Sequence, residues 1–180
     1  MDTQMGVGGE MTSTTPANER DEARTPPSLF KKLDERFHFG VDAAASHSNH
    51  LCDAYFTNDN SVGNALSIDW YGLLPERKQP FYCNPPYSRG NIDRFIKKGC
   101  EESLKGATVV MLLPMDSSTK VFHKYCMQAS EWIIFHPRVK FLRPNGTPFS
   151  GSPKFGSFAC VFKQEDFDGS PVVSSMRWKE

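Results

Sequence analysis

The apolar residues of this chain change repeatedly between helical and extended spacing. Residues 1–24 are rich in Gly, Thr, Ser, Asp and Glu and carry almost no large apolar side chains. They can bury too little surface to offset the entropy of ordering, which predicts a disordered tail. Pro27-Ser28 then opens a segment where Leu29, Phe30, Leu33 and Phe37 fall at helical spacing. Phe39–Asp42 reads as a short strand ending on an acid, with Ala65–Asp69 and Pro80–Cys83 as a second and third. Asn91–Lys105 predicts a helix with Ile92, Phe95, Ile96, Cys100 and Leu104 on one face. The apolar run Ala107–Leu113 is what a strand covered on both faces requires. Ser118–Ser130 predicts a helix and Trp132–His136 a strand. Val139–Leu142 and Ser157–Phe162 predict a hairpin across a Gly/Pro-rich loop.

Strands alternating with helices imply an α/β domain over residues 25–165 built on a mostly parallel sheet, with 166–180 as a C-terminal tail. Open sheets of this kind bind ligands beyond the carboxyl ends of their strands. Asp42, Asp69, Asn84 and Pro114 each fall at or just after a predicted strand end. No internal repeat is present.

A length of 180 residues suits one domain with an apolar core. Formal net charge is zero, so no global field marks a nucleic-acid binder. The distribution changes that picture. Between Ile133 and Lys163 there is no acid, while Arg138, Lys140, Arg143, Lys154 and Lys163 are all basic. The five cysteines include no C-x-x-C pair, which argues against zinc and for buried thiols in a reducing cytoplasm. His47 and His50 stand three apart but read as a solvated surface, so no metal is expected. No apolar run approaches the roughly 20 residues of a membrane span.

Asn84-Pro85-Pro86-Tyr87 carries the most specific chemistry. An exocyclic amine conjugated to a ring or carbonyl is a poor nucleophile, because its lone pair is delocalised. Acceptors that hold both N–H groups draw the nitrogen toward tetrahedral geometry. The side-chain carbonyl of Asn84 and the main-chain carbonyl of Pro85 can supply them. Consecutive prolines stiffen the loop and aim its carbonyls in advance. Tyr87 offers a flat face for an extruded base, worth roughly 1–3 kcal/mol. Cys83, beside the motif, reads as strand packing.

A second set suits a nucleoside cofactor. Thr25-Pro26 and Val41-Asp42-Ala43-Ala44-Ala45 combine an acid with small residues that allow close approach to the backbone, and Asp42 can bind an ammonium. The glycine-rich loop common at nucleotide sites is absent. Asp69 can accept from an adenine amine with Trp70 stacked beside it, and Asp59 is a weaker candidate for ribose hydroxyls. Read alone, each of these also fits an ordinary turn or cap.

Thr-Pro, Asp-Ala-Ala, Asp-Trp and Asn-Pro-Pro-Tyr-Ser, in this order, closely resemble the phage-type DNA N6-adenine methyltransferases, a small Dam-like family. The likeness runs from about Thr25 to Lys163 and includes Leu112-Leu113-Pro114 and Arg138-Val139-Lys140-Phe141. It implies a Rossmann-like fold that uses S-adenosylmethionine, with a C-terminal antiparallel hairpin added to a mostly parallel sheet. By the same resemblance Thr25, Pro26, Asp42, Ala43, Asp69 and Trp70 contact the cofactor, and Asn84, Pro85, Pro86 and Tyr87 hold the target adenine. The basic, aromatic segment is the expected contact with double-stranded DNA. Arg138, Lys140, Arg143 and Lys154 would meet phosphates, and Phe141 with Phe149 would line the base pocket. Two departures stand out: the expected cofactor-loop glycine is missing, though Gly40 lies nearby, and there is no separate target-recognition domain. RNA adenine or a protein glutamine amide also suits the motif, and an inactive DNA-binding module remains a third reading. Neither the target sequence nor the oligomeric state is legible.

Overall fold

The computed structural model describes residues 21–57, 64–73, 79–88, 90–150 and 154–179. Helix α1 (Pro27–Phe37) leads into strand β1 (Val41–Ala45) and then β2 (Ala54–Thr57). A short helix α2 (Trp70–Leu73) precedes β3 (Phe81–Cys83), and α3 (Asn91–Leu104) leads to β4 (Val109–Pro114). Helix α4 (Lys120–Lys124) and a single 3-10 turn precede β5 (Glu131–His136), β6 (Ser157–Phe162) and β7 (Val172–Arg177). The seven strands order as β2-β1-β3-β4-β6-β5-β7. Strand β6 runs antiparallel to both β4 and β5, and the other pairings are parallel.

Period-two alternation sorts the central strands between two apolar layers. Val109, Met111 and Leu113 of β4, with Phe158, Cys160 and Phe162 of β6, face Phe95, Ile96 and Cys100 of α3. Val110, Leu112, Ala159 and Val161 face Leu29 and Leu33 of α1 on the other side. Each fully buried Leu or Phe contributes roughly 1.5–3 kcal/mol. A glycine sets the closeness of α3 to the sheet: a methyl at Gly99 would come within 2.7 Å of Met111 Sδ. Leu104, assigned by periodicity to the same face, is 60% exposed because it is the last residue of α3, where the chain turns away toward β4.

Several predicted elements change. The first strand starts later than Phe39 because α1 ends at His38 in the left-handed region (φ 55°), while the Phe39 amide bonds back to Asp34 Oδ1 at 2.8 Å. Ala65–Asp69 is a turn, not a strand. Asn64 Oδ1 takes the Leu66 amide and the Asn64 carbonyl takes those of Ser67 and Ile68, so the chain curls around one residue. The second strand is instead Ala54–Thr57. The helix predicted over Ser118–Ser130 is shorter: Thr119 caps Lys120–Lys124, and the indole of Trp132 takes the Cys126 carbonyl at 3.0 Å. The predicted hairpin does not form. Ser157–Phe162 inserts between β4 and β5, and Leu142 bridges to Arg24 and Pro148. Residues 172–177, placed by sequence in a tail, form the edge strand β7.

Candidate active site

From β1 the chain moves outward to β2 and then crosses to β3 on the opposite side of β1. The order therefore reverses between β1 and β3, the place where open α/β sheets hold ligands. Asp42 is the last β1 residue paired to both neighbours, because toward β2 the register slips between Asp42 and Ala45. Asn84 follows β3 directly. The two residues read as most chemical in the sequence thus lie on adjacent strands at the carboxyl edge of the sheet.

The loop after β3 is held from three directions. Pro85 and Pro86 are buried and Asn84 is half-buried. Asn84 Nδ2 donates to the Ala23 carbonyl at 2.9 Å. That bond fixes the amide with Oδ1 as its acceptor end, and a carbonyl has two lone pairs to offer. The Tyr87 hydroxyl lies 2.9 Å from Asn84 Oδ1 and 3.0 Å from the Leu112 carbonyl, and donates its one proton between them. Burial pushes the Tyr87 phenol well above the usual tyrosine range, so it remains a donor. Its ring meets Phe141 nearly at right angles (88°), with centroids 5.6 Å apart. The Ser88 amide donates to Asp21 Oδ1 at 2.6 Å.

Residues 21–25 therefore form a strap over the site, although Asp21–Arg24 fall in the stretch whose composition reads as a tail. The Arg24 amide and carbonyl pair with Leu142, and the Thr25 hydroxyl lies 2.6 Å from that of Tyr82. Polar composition hid this segment: its contacts are hydrogen bonds from main chain and polar side chains, which leave no hydrophobic period.

Asp42 is 4% exposed, and its carboxylate accepts the amides of Ala44 (3.2 Å) and Leu51 (3.1 Å). Burial raises its pKa from 3.8 to about 6, against the lowering effect of those two amides and of His50. A buried carboxylate beside the small residues Ala43, Ala44 and Ala45 suits an ammonium arriving from the crevice. Cys83 is fully buried and its thiol is pushed well up by burial, as a packing residue would be.

Asp69 and Trp70 do not join this edge. Asp69 is exposed and its Oδ1 lies 3.0 Å from Lys105 Nζ, at the end of α3 near the amino end of β4. The Gly72 amide and Lys105 hold its carboxyl below the usual range. Trp70 is fully buried against Phe56 and Phe81, with its indole N–H on the Ala65 carbonyl at 2.6 Å. The pair looked like a strand-end acid because Ala65–Asp69 looked like a strand. Asp59 lies outside the described residues.

The basic segment packs by its aromatic residues and exposes its charges. Phe141 is buried against Tyr87, and the Arg143 guanidinium lies 5.4 Å above the Phe149 ring. Arg138, Lys140 and Lys154 are exposed. Lys163 leaves the set, since Glu165 and Asp166 pair with it at 3.0 and 2.7 Å. Two clefts, of about 930 and 390 Å³, open at the opposite edge of the sheet, lined by residues such as Thr108 and Lys163 or Gly40 and Gln79. Chemistry rather than concavity picks out the site. Among the described residues no three His, Cys, Asp or Glu side chains cluster as metal ligands would, and no helix is long and apolar enough to cross a membrane.

Residues 12–172 match the sequence profile described as DNA N-6-adenine-methyltransferase (Dam). Over 124 residues the chain is 34% identical to the DNA N-6-adenine-methyltransferase of Escherichia phage T1, covering 67% of this chain and 48% of that protein. Over 136 residues it is 32% identical to the DNA N-6-adenine-methyltransferase of Haemophilus phage HP1 (strain HP1c1), covering 72% of this chain and 71% of that protein. The chain thus spans about half the length of the first relative and over two thirds of the second.

Proposed function

Since the chain belongs to the DNA N-6-adenine-methyltransferase (Dam) family, we propose that it methylates N6 of adenine in double-stranded DNA with S-adenosylmethionine as donor, on a base turned out of the duplex. The observation that carries this reading is Asn84. Its Nδ2 is held by the Ala23 carbonyl and its Oδ1 by the Tyr87 hydroxyl, which fixes the amide directly after β3, the strand paired with Asp42 at the switch point of the sheet.

Bound there, S-adenosylmethionine supplies a methyl group already activated by its positive sulfur. The work left to the protein is alignment and exclusion of water. Asn84 Oδ1 and the Pro85 carbonyl accept the two N–H groups of the adenine amine and localise its lone pair. Pro85 and Pro86 keep those acceptors in place, and Tyr87 with Phe141 walls the base pocket. The amine proton leaves to solvent after the new C–N bond has formed, so no strong base is needed.

The residues fit the amino-acid end of the cofactor. Asp42 takes the ammonium, Ala43 lets the chain approach, and Thr25 with Pro26 closes the side nearest α1. Asp69 and Trp70 fall outside this set by position. The reversal of strand order and the antiparallel strand β6 support the Rossmann-like reading. Arg138, Lys140, Arg143 and Lys154, with Phe141, form the DNA-facing side, where exposed cations neutralise phosphates.

Incubation with labelled S-adenosylmethionine and unmodified duplex DNA, followed by digestion to nucleosides, tests the reading. N6-methyladenosine should form, and Asn84→Ala should abolish it while the protein stays folded. Label found only in RNA or protein overturns DNA as the acceptor.

A further inference from the structure

Arg24 is held rigidly and its guanidinium is not used. The strap places it by bonds on both sides: Ala23 takes the Asn84 amide, Thr25 meets Tyr82, and Arg24 itself pairs through amide and carbonyl with Leu142. Its Nε is buried with no hydrogen-bond partner, and no carboxylate pairs with the side chain among the described residues. Buried polar groups are regularly satisfied, so an orphaned donor beside a site is a candidate for contact with a bound group.

Side chains alternate along extended segments, and residues directly paired across strands share a side. Thr25 meets Tyr82, and Arg24, half-buried itself, pairs with the half-buried Leu142 at the preceding position of the strap. Across the pair, Val139 and Phe141 are buried and Lys140 is exposed. Arg24 is thus tied to the segment that carries Lys140 and Arg143 and no acid, while in its own strap Asp21 accepts the Ser88 amide and Glu22 is exposed. A planar guanidinium matches an anionic oxygen pair of phosphate or carboxylate. Its attachment at Leu142, between Lys140 and Arg143, favours phosphate.

We propose that Arg24 is a phosphate-contact residue, which grips the DNA backbone beside the target nucleotide and so ties strand binding to the strap that orients Asn84. This rests on the functional reading above.

The test uses the full chain, Arg24→Met and Arg24→Lys. Fluorescence anisotropy follows binding of unmodified duplex oligonucleotides across a salt series, titration calorimetry follows S-adenosylhomocysteine, and thermal unfolding reports the fold. Arg24→Met should bind every duplex sequence more weakly and lower the slope of log affinity against log salt by about 0.9. Arg24→Lys should keep the slope. S-adenosylhomocysteine affinity should not change, and the unfolding midpoint should hold or rise, since the orphaned donor is gone. An unchanged slope overturns the assignment. So does loss of S-adenosylhomocysteine affinity at constant slope, which would give Arg24 to the cofactor carboxylate. A fall in thermal stability that Lys does not restore overturns it in favour of a structural role. If wild-type protein binds no DNA, the functional reading itself fails. If wild type binds and Arg24→Met matches it, only Arg24 fails.

Discussion

The Tyr87 hydroxyl lies 2.9 Å from Asn84 Oδ1, so the fourth residue of the motif steadies the first. The bond aims one lone pair of Oδ1 at Tyr87 and leaves the other for a substrate N–H. Tyr87→Phe keeps the ring against Phe141 but leaves the carbonyls of Asn84 and Leu112 without this donor. Stability should fall by about 1 kcal/mol in urea denaturation. In steady-state kinetics kcat should fall about tenfold with KM for DNA nearly constant, because positioning is lost and stacking is kept. A change confined to KM would show that Tyr87 acts through the base alone.

Asn84→Asp separates the two ends of the amide. The acceptor survives, but an oxygen now faces the Ala23 carbonyl where Nδ2 donated at 2.9 Å. Methylation should therefore exceed that of Asn84→Ala, while the strap loosens at a cost of about 1–3 kcal/mol. Hydrogen exchange should show faster exchange of the Arg24 and Ser88 amides, which this network holds. Activity no better than that of Asn84→Ala would mean that Nδ2, and hence the strap, matters more than the acceptor.

The sequence made legible whatever depended on hydrophobic period or on a rigid motif. Helices α1 and α3, the doubly buried β4 and the placement of Asn84 after β3 all follow from such signals. Strand β2 escaped because three half-buried residues and a buried threonine at a sheet edge leave little pattern. The insertion of β6 between β4 and β5 escaped because alternation tells a strand's faces and not its neighbours. The strap escaped because hydrogen bonds, not buried apolar side chains, hold it. Asp69 misled because a turn built on Asn64 imitates the end of a strand.

The pH dependence of stability should carry the mark of Asp42. Its pKa rises from 3.8 to about 6 on folding, chiefly through burial. Between those values the folded protein binds more protons than the unfolded chain, so this contribution to stability falls as pH rises through the window. Once ionised, the carboxylate costs about 3 kcal/mol. Relative to Asp42→Asn, wild type should therefore lose about 2 kcal/mol between pH 4 and pH 7 in paired urea denaturations. A ligand ammonium favours the ionised form, so S-adenosylhomocysteine affinity should weaken below pH 6 in wild type and stay flat in the variant. A difference that does not move with pH would show Asp42 to be solvated.

The contrast between two aspartates tests whether the reversal of strand order locates the cofactor. Asp42 ends the doubly paired part of β1 at the crevice, while Asp69 is exposed near the other edge and bound to Lys105. If position decides, Asp69→Asn should leave S-adenosylhomocysteine affinity and methylation unchanged, and Asp42→Asn should weaken both at pH 7.5. The exposed Asp69–Lys105 pair is screened by solvent, so its loss should scarcely move the unfolding midpoint. Titration calorimetry of the two variants beside wild type reads the answer directly. Should Asp69→Asn weaken binding as much as Asp42→Asn, the adenosine end of the cofactor must reach across the sheet. The assignment of the site to the carboxyl edge would then have to be abandoned.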